Sequence, residues 1–279
     1  MTDSPVTHFH PQRPHRCTGQ SPIGTNRVLL SFDVEEFDVP EEYGQALPDA
    51  VKFQVSHQGL LAVLALLDDL GIRATFFTTA YFAQHHADLM RAIAQTHEIA
   101  SHGFYHSAFE VADLARSKHT LEAISQTAIA GFRMARLQKI EDHAIASAGY
   151  TYNSSVNPTY LPGRYNNLAQ PRTAHYSGSL LNIPVSVTPV VRFPLFWLSF
   201  KNLPLSLYQW ASAYTLRADH YLSLYFHPWE FADLSEFHLP GYIKRHAGLP
   251  MVRRLRRYLT WLQPQAEFIT YAEFPSRPR

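Results

Sequence analysis

From residue 28 onward, short apolar runs alternate with segments of helical period, a pattern satisfied by parallel strands laid side by side with helices returning over them. Val28 to Asp33 reads as a strand, Ser56 to Leu70 as a helix stopping at Gly71, and Ile72 to Thr79, rich in β-branched and aromatic residues, as the next strand. A helix over Tyr81 to Gln95 precedes a strand over Glu98 to Ser101, and one over Asp113 to Ala128 precedes Gly131 to Met134. The alternation continues with helix Gln138 to Ala148, strands Thr151 to Val156 and Leu180 to Val187, helix Leu203 to Arg217 and strand Tyr221 to Phe226. Repeated strand-helix units predict an α/β fold whose parallel sheet is closed or nearly closed on itself.

The chemistry-bearing residues collect where these strands end. The run Val28-Leu29-Leu30-Ser31-Phe32 leads into Asp33-Val34-Glu35-Glu36-Phe37-Asp38, so a buried strand delivers acids to its C-terminal mouth, where barrel enzymes carry their chemistry. Asp33 and Glu35 are two apart and point to the same side of an extended chain; one can hold a metal while the other stays free as a base. His102 and His106, in Ser101-His102-Gly103-Phe104-Tyr105-His106, have the spacing that puts both imidazoles on one face of a helical turn. Two imidazoles and a carboxylate form a ligand set for catalytic zinc that leaves a position open for water or substrate. Taken singly, each element has a bland reading: acids past a strand serve as turn or N-cap residues, and histidine pairs arise easily in a chain with 16 histidines. Their conjunction carries the weight, because a third strand, Tyr221 to Phe226, runs out into His227-Pro228-Trp229-Glu230.

The order acidic strand end, His-x-x-x-His, Gly131-Phe132-Arg133, Asn153-Ser154-Ser155 and Leu224-Tyr225-Phe226-His227-Pro228-Trp229-Glu230 resembles the NodB-homology polysaccharide deacetylases, carbohydrate esterase family four. It looks most like the branch with Asp-Val-Glu at the first motif, associated with exopolysaccharide and O-antigen biosynthesis. The resemblance runs from about Arg27 to about Phe274, and residues 97 to 106 are its most specific stretch. It implies a distorted (β/α) barrel of about seven parallel strands. It implies Asp33 as catalytic base, Glu35, His102 and His106 as metal ligands, Arg133 as the partner that holds the base, and His227 as the acid that protonates the departing amine. Zinc is the expected metal, with cobalt, nickel or manganese as alternatives. The expected substrate is an acetylated saccharide, free or as a lipid- or nucleotide-linked sugar, touched by Tyr105, Asn153 and Trp229.

An N-acetyl amide resists water, so the chemistry needs a divalent ion to polarise the carbonyl and a carboxylate to accept a proton. Backbone N–H groups near the Tyr105 turn are candidates to share the oxyanion. Asn153 stands where many relatives carry aspartate, and an amide cannot stabilise an imidazolium as a carboxylate does; Glu230 could supply that charge. Ala135 replaces a proline common after the arginine motif, so Met134-Ala135-Arg136 can reshape the mouth.

The 279 residues, 46% hydrophobic, suffice for one large domain, and a net charge of +1 gives no reason to propose nucleic acid. The single cysteine, Cys17, excludes an intrachain disulfide framework and suits a reducing compartment. Residues 1 to 26, with Pro5, Pro11, Pro14 and Pro22 and no apolar signal-peptide stretch, read as a disordered tail; His8, His10 and His15 there read as loose-tail residues rather than a second metal site. Residues 27 to 279 read as the catalytic domain, and a cytoplasmic location, free or against the inner face of the membrane, is the expectation. Residues 157 to 179 form a long loop whose Tyr160 and Tyr165 could stack on a sugar. The apolar run Phe193 to Phe200 is too short to span a bilayer; burial against the barrel is expected ahead of a hydrophobic lid, a dimer contact or a groove for a lipid-linked sugar, and no transmembrane segment is read elsewhere. The oligomeric state is not legible. Two other function classes fit the residues less well: an amidase for a small non-sugar amide or cyclic ureide, and a catalytically silent carbohydrate-binding protein, against which the joint presence of Asp33, Arg133 and His227 argues.

Overall fold

A computed structural model describes residues 26 to 274. The expected tail, with Cys17 and His8, His10 and His15, lies outside the described residues apart from its last position. Eleven strands follow in chain order: β1 Arg27–Val34, β2 Thr75–Thr78, β3 Glu98–Ser101, β4 Gly131–Phe132, β5 Tyr152–Asn153, β6 Tyr160–Leu161, β7 Tyr165–Asn166, β8 His175–Ser177, β9 Leu180–Asn182, β10 Tyr221–Phe226 and β11 Glu267–Ile269. The order β10-β1-β2-β3-β4-β5-β9 makes a run of seven parallel strands, with β8 added antiparallel to β9 and β11 parallel to the first half of β1. The sheet curls until its ends approach. Ser186, just past β9, donates its N–H to the Ser223 carbonyl of β10 (2.9 Å) and accepts the Ser223 N–H on its hydroxyl (2.9 Å). This is the mixed α/β half-barrel expected from the alternation.

Strand alternation decides what faces the barrel axis. Val28, Leu30, Phe32 and Val34 of β1, Phe76 of β2, Ile99 of β3 and Leu222, Leu224 and Phe226 of β10 pack outward into the layer of helices. Leu29, Phe77, Ala100, Tyr152, Leu181 and Tyr221 pack inward with Ile269 and Tyr271. On β1 the inward set continues Leu29, Ser31, Asp33, and then Glu35 beyond the strand, so the lower barrel is apolar and its C-terminal mouth is ionic.

Helix Asp49–Leu70 is seven residues longer at its start than the apolar periodicity indicated, because Pro48 leads into it and Lys52 ties its first turn to Glu41 (2.6 Å) and Asp49 (3.3 Å). It ends as expected at Gly71, in the left-handed conformation (φ 63°) that glycine adopts without strain. By length and composition it could cross a membrane, yet half of its most apolar window is buried inside the protein. Midway, Gly59 lets the helix touch the turn that follows β10: a Cβ there would lie 1.8 Å from the Pro228 carbonyl oxygen. Gly59→Ala is therefore expected to push this helix off the His227-Pro228 turn and cost on the order of 1–3 kcal/mol, read as a lower urea midpoint, with turnover falling alongside.

The remaining differences from the sequence reading are local. The helix expected over Tyr81 to Gln95 is two, Ala80–His85 and Ala87–Ile93, broken at His86 (φ −131°). The long loop after β5 contains the β6-β7 hairpin and β8. The run Phe193 to Phe200 turns into helix Trp197–Asn202, burying Leu195, Phe196 and Phe200 while Phe193 stays exposed.

Candidate active site

Four strand ends meet at the C-terminal mouth. Asp33 is the penultimate residue of β1 and Glu35 follows that strand, His102 follows β3, Arg133 follows β4, and His227 follows β10, with ladder hydrogen bonds fixing the backbone of His102 and Arg133. The Arg133 N–H, for example, is donated to the Ser101 carbonyl of β3 (2.8 Å), and the His102 N–H to the Thr78 carbonyl of β2 (2.9 Å). Asp33, Glu35, His102, His106, His227 and Trp229 all line one cavity of about 330 Å³.

Glu35, His102 and His106 are buried, and their ligand atoms lie within 4.8 Å of one another. Oε2 of Glu35 stands 3.2 Å from Nε2 of His102 and 3.1 Å from Nε2 of His106, while its Oε1 accepts the Trp229 indole N–H (3.1 Å). The outer ring nitrogens are also engaged. Nδ1 of His102 meets the Arg133 carbonyl (2.9 Å) and Nδ1 of His106 meets Oδ1 of Asp38 (2.8 Å). A carbonyl or a carboxylate only accepts, so both Nδ1 atoms carry hydrogen and both Nε2 lone pairs are turned toward the Glu35 oxygen. Such an arrangement calls for positive charge among the three atoms, either protons on the rings or one shared cation. The electrostatics agree: burial alone would raise Glu35 and lower His106. Instead, His106, His227 and His102 hold Glu35 well below the usual carboxylate range, and Glu35 and Asp38 push His106 up to about 9. The donor set, two imidazoles and a carboxylate, fits a divalent ion such as zinc.

The two histidines reach this geometry without the helical turn expected from their spacing. Residues 102 to 106 are a loop in which Gly103 takes φ 86°, and it is anchored because Gly103 and Phe104 accept N–H groups from Ala80 and Tyr81 (3.0 and 2.9 Å). A side chain other than glycine's is disfavoured at that φ, so the turn depends on it. The rings end 5.9 Å apart.

Beside the triad, Nη1 of Arg133 donates to Oδ1 of Asp33 at 2.6 Å. Arg133 is fully buried, and all five of its guanidinium hydrogens are used: on Asp33, Ser31 (2.9 Å), the Ser154 carbonyl (3.1 Å) and hydroxyl (2.9 Å), and Tyr271 (3.1 Å). Its face lies 4.0 Å from the Phe77 ring centre. Across the cavity, His227 stacks on Trp229 (4.9 Å, 19°) and meets Trp197 edge-on. Its Nδ1 and backbone N–H both reach Oε1 of Glu230 (3.2 and 2.8 Å). Burial would lower His227; Glu35, Glu230 and Asp33 outweigh it and hold the imidazole above its ordinary value.

Two residues expected at the substrate lie elsewhere. Tyr105 packs on Tyr81 (5.1 Å) and does not line the cavity. Asn153 does not approach His227; it donates to Oδ1 of Asn182 (2.8 Å), accepts from Ser155, and faces a neighbouring polar cavity of about 760 Å³. β5 ends too far around the barrel for its side chain to meet His227, and Glu230 occupies the carboxylate position instead. Trp229 does line the cavity, with its N–H committed to Glu35. Asp38 and Arg136 carry roles not assigned from sequence. Asp38 bridges His106 and Arg136 (2.9 Å), and Arg136, at the left-handed φ of 55°, also pairs with Glu42 (2.8 Å), which Arg164 joins at 2.6 Å. The acidic run advertised Asp38, but nothing in the sequence tied it to residue 136.

The sequence model of the polysaccharide deacetylase family matches residues 26 to 153, a little under half of the chain. Three solved structures share the fold. One is a Mycobacterium smegmatis protein assigned as a polysaccharide deacetylase (18% identity, TM-score 0.64, 92% of each chain covered). The second is Puue allantoinase (14%, 0.62, 92% of this chain and 91% of that one). The third is a Pseudomonas aeruginosa PAO1 protein assigned like the first (14%, 0.61, 90% and 89%). At these identities the likeness is one of fold. No curated protein sequence matches the chain.

Proposed function

We propose that the chain is a metal-dependent deacetylase removing an N-acetyl group from a saccharide intermediate of surface-polysaccharide synthesis, within the Asp-Val-Glu branch of its family. Residues 27 to 279 would form the catalytic domain, and a cytoplasmic location belongs to the same proposal. The observation that carries it is the meeting of Asp33, the Glu35-His102-His106 triad and His227 around one cavity. Glu35, His102 and His106 would hold the ion, zinc in the first instance. When bound, it supplies Lewis-acid polarisation of the acetyl carbonyl and acidification of water.

The protein's own groups do the rest. Asp33, pinned through Oδ1 by Arg133, accepts the proton of the attacking water. His227, on the far side and backed by Glu230, protonates the amine nitrogen so that the tetrahedral intermediate collapses toward acetate. Trp229 and Trp197 wall the His227 ring so that it keeps one orientation.

A screen for acetate release over N-acetylated sugars, nucleotide sugars and lipid-linked sugars tests the reading; acetate from at least one class is expected. The fold shared with an allantoinase favours a second reading, an amidase for a small ureide. Ring opening of cyclic ureides with no acetate from any sugar would establish that alternative instead.

A further inference from the structure

Lys201 lies in helix Trp197–Asn202, next to the apolar run Phe193 to Phe200, and is fully buried. Its Nζ is 3.2 Å from Oε2 of Glu230 and within 5.7 and 5.6 Å of the Trp197 and Trp229 ring centres. Neither Nζ nor Oε2 has an aligned hydrogen bond to any other described group. The other oxygen of the same carboxylate, Oε1, takes the ring and backbone nitrogens of His227. One buried carboxylate thus joins two buried nitrogen bases, and neither Lys201 nor Glu230 lines the cavity.

We propose that Lys201 is a positioning residue that sets how readily His227 gives up its proton, acting through the carboxylate they share. The inference rests on the reading of His227 as proton donor. With Glu230 alone behind it, the imidazolium would sit in a closed, neutral ion pair, and donation would strand a carboxylate in a low-dielectric interior. With an ammonium on the far oxygen, the carboxylate stays compensated after the proton has left. The imidazolium is then the stronger acid. The charged or titratable groups around the three are few: Glu35 and Asp33 act on His227, His246 lies near Lys201, and Tyr225 and Tyr208, both pushed up by burial, lie near Glu230. Burial holds Lys201 below its ordinary value against the pull of Glu230.

The test is the His227 titration, followed by ring nitrogen NMR on zinc-loaded protein and assigned by the signal lost in His227→Asn. Glu230→Gln is expected to lower the midpoint. Lys201→Met is expected to raise it by about half a pH unit or more, and Lys201→Arg to leave it near wild type. Opposite movements on removing the two partners are not produced by a merely structural lysine. Should Lys201→Met not fold, Lys201→Gln, which keeps a donor for Oε2 but no charge, decides: its midpoint should also lie above wild type. Because the lysine acts through the carboxylate, Lys201→Met/Glu230→Gln should titrate close to Glu230→Gln. A Lys201→Met or Lys201→Gln midpoint that is unchanged or lowered, or a double variant that rises above Glu230→Gln as far as Lys201→Met rises above wild type, overturns the proposal. With an N-acetylated sugar turned over in the acetate screen, the alkaline limit of kcat should follow the NMR midpoint while KM holds. Midpoints that move as stated with an alkaline limit that ignores His227→Asn would mean that the donor reading has failed, and the catalytic part of this inference with it.

Discussion

Arg133→Met is expected to destabilise the protein by about 3–5 kcal/mol in urea denaturation and to abolish turnover. The size follows from what the substitution strands. Asp33 is buried and loses its guanidinium partner, while Ser31, Ser154 and Tyr271 each lose a donor in a site closed to solvent. Arg133→Lys should recover only part, because one ammonium cannot reach five acceptors spread over β1, the segment after β5 and the segment after β11. The double change Arg133→Met/Asp33→Asn removes both charges, and it should regain stability relative to Arg133→Met while remaining inactive. A single variant as stable as wild type would show that the buried cation does not organise the mouth.

Asp33→Asn is the second large effect and separates base from ligand. The amide keeps the volume of the carboxylate but cannot accept a proton, so turnover should fall by about 10²–10⁴. Bound metal should be unchanged, since Glu35, His102 and His106 are untouched. Metal analysis beside kcat distinguishes the roles: lost metal would move Asp33 into the ligand set, and unchanged turnover would remove it from the chemistry.

Most of this site was legible because its residues sit where strands stop. Val28 to Asp33 and Tyr221 to Phe226 are unbroken apolar runs, and their charged termini can only be mouth residues once both faces of the strand are covered. The strand alternation that put Asp33 and Glu35 on one side held because the inward face of β1 is continuous from Leu29. β4 and β5 hold two residues each, too few for a period to show, so their extents were overdrawn and the aim of Asn153 could not be read. The helical reading of His102 and His106 failed for a related reason. A spacing of four also fits a loop turned by a left-handed glycine, and sequence period cannot tell the two apart. Asp38, Tyr271 and Lys201 were missed because each acts through a partner distant in the chain, and a lone lysine beside an apolar run resembles a surface residue until Glu230 is seen against it.

The most direct measurement is anomalous diffraction from crystals of the protein grown with zinc and recorded on both sides of the zinc edge. The account predicts one strong peak within coordination distance of Glu35, His102 and His106, inside the cavity that Asp33 and His227 also line, and its loss in Glu35→Ala. A wild-type map with no peak there, or with zinc held by other residues, would contradict it.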